Sequence, residues 1–326
     1  MTNIKRMAFI YLTNPKLSDN IAIMKKINLN QEHFYNEVAA RKYLEKIRWK
    51  DGIPVCPHCG SKNNHYELKP KTSTSELRNG VWKCKDCRKQ FSVTVGTIFE
   101  RSHIQLNKWL LAVQLLCSSK KGISSKQIER MLGVSYKTAW FMMHRIRYAL
   151  EQNPRLSKLI GIVEVDETYI GGKAKGTRGR GANNKIPVVS LVERKGKIRS
   201  FQTTRVTAKN LKEIIRENVD KSSMIITDEF KSYHGLKKEF KAHHIINHGE
   251  KEYVNGIIST NTVEGYFSLL KRGIIGAYHH ISKQHLKRYL AEFDYRYNNR
   301  GNNDFVISEF VLNNIAGKRL MYRDSS

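Results

Sequence analysis

Acidic residues are the first shortage: 29 Asp and Glu stand against 58 Lys and Arg, for a formal net charge of +29 and an isoelectric point near 9.9. So one-sided a balance calls for a polyanionic partner. Long apolar runs are also missing, and none approaches the 18 or more residues of a membrane span. The apolar stretch near the N-terminus, MAFIYL, has no small-residue cleavage site after it, which argues against an export signal. No basic helix shows a clean apolar face, so an anionic membrane surface is a poor match for the charge. Cysteine is scarce, with five in the chain. Four of them form two pairs, and without an export signal paired thiols point to metal rather than disulfides.

What is present fits a folded protein of two or three domains: 326 residues, 40% hydrophobic and 27% charged. Basic residues run along the whole chain, as expected of several modules sharing one long ligand. Met24 is followed by Lys25 and Lys26. Residues 1–30 are read as an N-terminal extension, and the natural start is left open.

CPHCG and CKDCRK each hold two thiols separated by two residues. That spacing lets a tight turn aim both sulfurs at one ion, and two such turns complete a tetrahedral site. Cys56, Cys59, Cys84 and Cys87 are therefore expected to hold a structural Zn2+. Tyr66 to Leu68, Val81 to Lys83 and the alternating FSVTV read as its short strands. His58 and His65 are read as bystanders. Residues 31–100 become a short helix plus a zinc ribbon.

Residues 101–155 read as a helical module. LNKWLLAVQLLC, Leu106 to Cys117, has a broad apolar face, and Cys117 belongs to that helix core. Next, Ser124 or Ser125 can cap a helix that turns Ile128, Met131 and Leu132 inward. Gly133-Val134 makes a turn. Ser135 then caps a second helix with Ala139, Met142, Met143 and Ile146 at helical spacing. This is a helix-turn-helix pattern. Tyr136 and Lys137, at the start of the second helix, would reach base edges, with Arg145 and Phe141 also on the outer face.

Downstream, two β-rich runs each deliver an aspartate: Ile162 to Val165 leads to Asp166, and MIIT leads to Asp228. Between them lie a hairpin turning at Lys195-Gly196-Lys197 and the helix AKNLKEIIREN. KAHHIIN follows as a strand, then TNTVEGYFSLLKRG as an amphipathic helix bearing Glu264. After Gly171-Gly172 comes a loop rich in Lys173, Lys175, Arg178 and Arg180, suited to a phosphate backbone. In HLKRYLAEFDYRYN, Leu286, Tyr289, Leu290, Phe293 and Tyr297 form a core-facing stripe. His243, His244, His248, His279 and His280 are read as scattered surface residues.

Each acid alone has a plainer explanation. A strand-end aspartate is commonly a turn residue. Glu164 shares the strand face of Asp166, and Glu167 points the other way. What singles the three acids out is their order: strand-Asp, hairpin, helix, strand-Asp, helix, strand, helix-Glu, with 35 residues between Asp228 and Glu264. This is the order of a ribonuclease H-like domain. The fold class expected is α/β and multidomain, with a ribonuclease H-like mixed sheet flanked by helices over residues 156–300. A zinc ribbon and a helix-turn-helix precede it, and a C-terminal tail over 301–326 follows.

At this point the chain resembles the bacterial insertion-sequence transposases of the DDE type that carry a zinc ribbon ahead of the catalytic domain. The carriers are CPHCG, CKDCRKQFSVTVGTIF, VDETYIGGK, ITDEFKSY, NTVEGYFSLLKRGIIGAYHHIS and YRYNNR. The resemblance implies a metal-binding triad of Asp166, Asp228 and Glu264, with Asn261 one turn earlier as a residue that shares or replaces the third role. It implies Mg2+ (or Mn2+) as the catalytic cofactor. Lys271, and Arg272 beside it, are placed for DNA contact. The partner implied is double-stranded DNA, both terminal inverted repeats and target, bound by a homodimer in the cytoplasm at the nucleoid. Two other functions stay open: a catalytically inactive DNA-binding regulator derived from a transposase, and a nuclease without joining activity.

Overall fold

The computed structural model describes residues 29–69, 80–151, 157–172, 185–246 and 259–322. The chain opens with helix α1 (Glu37–Arg48), whose first turn is capped by the Asn36 side chain accepting from Val38 N and Ala39 N. Strands β1 (His65–Glu67), β2 (Val81–Cys84) and β3 (Gln90–Ser92) then form an antiparallel three-stranded sheet. Helices α2 (Leu106–Ser118), α3 (Ser125–Leu132) and α4 (Tyr136–Leu150) follow. Ser124 caps α3 and Ser135 caps α4. Gly133 turns the chain between them at φ 60°, a left-handed conformation that suits glycine.

Ribbon and helices share one core. Leu44, Phe91, Ile98, Trp109, Ile128, Met142 and Ile146 all belong to it, together with the sulfur-bearing Cys56 and Cys84. Ile128, Ala139, Met142, Met143 and Ile146 are buried as expected. Two expectations are corrected. Met131 is half exposed rather than inward. Arg145 is buried rather than on the outer face: it donates to Glu100 O and lies against the rings of Trp109 and Phe141. The reason is that α4 also packs on the segment after the ribbon, so its supposed outer face is covered.

The second half holds strands β4 (Ile162–Ile170), β5 (Ile186–Glu193), β6 (Ile198–Gln202), β7 (Met224–Asp228) and β8 (Ala242–Ile246). Its helices are α5 (Ala208–Asn218), α6 (Asn261–Gly273) and α7 (Leu286–Asn298). The five strands lie in the order β6-β5-β4-β7-β8. β5 runs antiparallel to both of its neighbours, β4 and β6, while β7 pairs parallel with β4 and β8 parallel with β7. Helices flank this mixed sheet. On one face Val188, Val192 and Ile170 pack against Val263, Phe267 and Leu270 of α6 and Leu286, Leu290 and Phe293 of α7. On the other, Val163, Val165, Val189 and Leu191 pack against Leu211 and Ile215 of α5 and against Tyr233 and Leu236.

Residues 301–326, read as a tail, contain a further helix, α8 (Asp304–Asn313). Ile307, Val311, Leu312 and Ile315 return to the first core, beside α1 and α2. A helix with apolar residues on most sides has no stripe for a periodicity argument to find.

Candidate active site and metal centre

The four cysteines converge. Cys56 Sγ lies 3.6 Å from Cys87 Sγ, and Cys59 Sγ lies 3.6 Å from Cys84 Sγ. All four sulfurs fall within 4.8 Å of one another. A tetrahedron with Zn–S bonds of about 2.3 Å has sulfur–sulfur edges of roughly 3.8 Å, so this donor set fits structural zinc. His58 and His65 take no part; each faces a backbone carbonyl, of Gln90 and Pro54 respectively. Because Cys56 and Cys84 are also core residues, zinc loss should loosen more than the ribbon. Cys84→Ser is expected to abolish zinc binding and speed amide exchange through β1–β3 and α1, leaving the five-stranded sheet protected. Metal analysis with exchange mass spectrometry checks this, and full zinc content in that variant would refute the four-thiol site.

The second cluster is acidic. β4 alternates its side chains: Val163 and Val165 enter the α5-side core, which sends Glu164 and Asp166 to the α6 side. The parallel pairing of β4 with β7 runs to Glu164 and Ile226, and Asp166 and Asp228 each lie two residues beyond that last pair on their own strands. Asp228 Oδ1 accepts from Phe230 N at 3.1 Å, a local turn that ends the strand. Glu264 lies in the first turn of α6, exposed, with Thr260 Oγ1 at 3.0 Å from its Oε1. Burial pushes the Asp166 carboxyl up to about 7; a hydrogen bond from Glu167 N opposes this, and the charges of Glu167, Asp228 and Glu264 reinforce it. Asp228 and Glu264 are thus both near enough to Asp166 to raise its carboxyl pKa. Among the described residues no acidic trio draws its oxygens within 4.8 Å, as the cysteines do. The hard oxygen donors of Asp166, Asp228 and Glu264 suit a hard dication such as magnesium.

Sequence reasoning missed what surrounds these acids. Tyr233 OH donates to Glu167 Oε2 at 2.7 Å beneath the sheet. Burial, followed by Glu167, Asp166 and Asp228, holds its phenol far above the ordinary range. Glu164, weighed only as a rival of Asp166, is fully buried and serves the N-terminus of α6. His243 is half buried, bonded to Thr227 Oγ1 at 3.0 Å, with a pKa lowered to about 4 by burial and then by His244 and His234.

The remaining candidates are dispersed. Tyr136 and Lys137 are exposed at the start of α4, with Lys126 over the Tyr136 ring and Lys137 over the ring of Tyr322. Asn261, Lys271 and Arg272 are exposed on α6. Lys173, Lys175, Arg178, Arg180 and His248 lie outside the described residues. No helix among the described residues is long and apolar enough to cross a membrane.

Comparison with known proteins gives a consistent picture. The ISXO2-like transposase domain matches residues 158–298, and the transposase zinc-ribbon domain matches residues 35–90. A Halobacterium salinarum protein described as an uncharacterized protein in transposable element ISH50 is 32% identical over 287 residues, 81% of this chain and 91% of that one. An uncharacterized transposase-like protein of Haemophilus influenzae is 32% identical over 110 residues, 32% of this chain and 84% of that one. Among solved structures, the Mos1 strand transfer complex aligns over 63% of this chain and 74% of that one, at 14% identity and a TM-score of 0.27. That likeness is too slight to say anything of the fold.

Proposed function

The chain belongs to the insertion-sequence transposases that carry a transposase zinc ribbon ahead of an ISXO2-like transposase domain, and on that premise we propose that it cuts and joins DNA at the ends of its element through a DDE triad of Asp166, Asp228 and Glu264. One observation carries this reading: Asp166 and Asp228 stand on adjacent parallel strands, and Glu264 follows the α6 residues whose amides bond to Glu164, two positions before Asp166 on the same strand face. The sheet order, with the two aspartate strands parallel neighbours, supports a ribonuclease H-like catalytic domain.

Water must attack a phosphorus screened by negative oxygens to free a 3′-hydroxyl, and that hydroxyl meets the same barrier at the target strand. Bound divalent metal, Mg2+ or Mn2+, would supply the positive charge that offsets the attacking and leaving oxygens. Asp166, Asp228 and Glu264 would hold that metal, with Asn261 one turn before Glu264. Lys271, seven residues beyond Glu264 on the same helix, offers a cation to the DNA backbone. The helix pair α3 and α4 is the proposed helix-turn-helix, with Tyr136 and Lys137 reading the inverted repeats. Lys173, Lys175, Arg178, Arg180 and Arg272 would contact phosphates, and a homodimer would supply one active site per DNA end.

An assay with labelled element ends, target DNA and Mg2+ tests the proposal. Cut ends with recombinant joints support it; cut ends alone indicate a nuclease, and binding without cleavage a regulator. Lys271→Ala is expected to weaken DNA binding and flatten its logarithmic salt dependence by about one unit. An unchanged slope would remove Lys271 from the interface.

A further inference from the structure

We infer that the buried Glu164, with the partly exposed Arg194 paired to it, forms a strut that sets the position of Glu264 against Asp166. This rests on the triad proposed above and names what holds it in register.

Glu164 sits two residues before Asp166 on the same face of β4, with no exposure to solvent. Its Oε2 accepts from the backbone amides of Thr262 at 2.9 Å and Val263 at 3.1 Å, the first turn of α6. Its Oε1 accepts from Thr262 Oγ1 at 2.8 Å, Arg194 Nε at 3.0 Å and Arg194 Nη2 at 2.7 Å. Arg194 Nη2 also donates to the carbonyl and hydroxyl of Ser259, at 2.9 and 3.1 Å. One ion pair thus grips both the chain entering α6 and the first turn of that helix. Glu264 is the next residue after Val263.

The chemistry explains why a carboxylate is used. A helix N-terminus presents unpaired N–H groups and a partial positive charge, which an anion satisfies. Apolar contacts would tolerate a sliding or rotating helix; two amide bonds to one oxygen do not. A shift of about 1 Å in a reacting constellation can cost about 100-fold in rate. Partners that orient metal ligands typically change metal affinity by about 10- to 100-fold when removed. Glu164 is a positioning residue on this account, because it acts through Glu264.

The test uses the zinc-loaded full chain, with Mn2+ as the probe. Mn2+ binding is followed by electron paramagnetic resonance, and amide exchange over residues 259–267 by mass spectrometry. Glu164→Gln is expected to weaken Mn2+ binding by about 10- to 100-fold and to speed exchange in the first turn of α6, with affinity for element ends unchanged. In a Glu264→Ala background the same change should cost little further Mn2+ affinity, because coupled residues are not additive. Wild-type Mn2+ affinity in folded Glu164→Gln overturns the strut, as does full additivity in the double variant. If Glu164→Gln fails to fold, Thr262→Val removes one of the five contacts, and its Mn2+ affinity is expected to fall several-fold; no change there is equally fatal. Wild-type Mn2+ affinity in Glu264→Ala itself would instead overturn the triad. Loss in Glu264→Ala without loss in Glu164→Gln overturns the strut alone.

Discussion

Asp166→Ala, Asp228→Ala and Glu264→Ala are each expected to lower strand cleavage and strand transfer at least 1,000-fold, which is about 4 kcal/mol of barrier, while leaving affinity for element ends near that of the parent chain. Each substitution removes one carboxylate of the proposed triad, and none of the three residues belongs to the first core, where the zinc ribbon and the α3–α4 pair reside. Gel-shift and strand-transfer assays on the same preparations check both halves. A variant that still joins DNA would remove its residue from the triad.

Asp166 offers a second readout with opposite sign. Its folded pKa is raised, to about 7, by burial first and by Glu167, Asp228 and Glu264 next. Such a group favours the fold below its unfolded pKa of about 3.9 and loses that contribution as pH climbs through the folded value. Above pH 7 the ionised carboxylate is thus a liability in magnesium-free buffer. Asp166→Asn should melt higher than the parent there, and the gap should close toward pH 5. Loss of activity with a gain in stability is the mark of a residue kept for chemistry.

The second half of the chain was legible where local pattern and end signals agreed. β7 is a short apolar run closed by Asp228, and α6 carries Val263, Phe267 and Leu270 at helical spacing. The hairpin turn was found because Lys195-Gly196-Lys197 interrupts two alternating runs; Lys195 adopts φ 61° there. What stayed hidden depends on distant partners. Glu164 shares the face of Asp166, so the alternation could mark both but could not assign them. Only the folded chain brings Arg194 and Thr262, 30 and 98 residues away, to one carboxylate and leaves the other facing acids. Arg145 was misread for a similar cause: a helix with two packed sides has no outer face there.

The other large effect is structural, at the junction of the two halves. Glu292 of α7 is fully buried. It accepts from Arg147 Nε of α4 at 2.6 Å, from Arg296 on its own helix and from Tyr278 OH, in the π-turn that extends α6. Arg147, also fully buried, lies 4.0 Å from the centre of the Tyr289 ring. One carboxylate therefore serves two guanidiniums and offsets one of their two charges, and arginine cannot shed its proton to escape. Glu292→Gln leaves both charges buried and is expected to cost about 3–5 kcal/mol, read from urea unfolding by tryptophan fluorescence. Arg147→Met should cost less, because Glu292 keeps Arg296, and Arg147→Met with Glu292→Gln should recover part of the loss. Burial drives the Glu292 carboxyl up, but Arg296 and Arg147, with hydrogen bonds from Tyr278 and Arg147, outweigh it and hold it below the usual range. A lowered carboxyl pKa gives stability that is present above the unfolded value of about 4.3 and is lost as pH falls through the folded one. Acid should consequently destabilise the parent chain more than Glu292→Gln. If that variant unfolds within 1 kcal/mol of the parent, the two halves are joined by the apolar contacts around Tyr289 and Phe293 and not by this charge cluster.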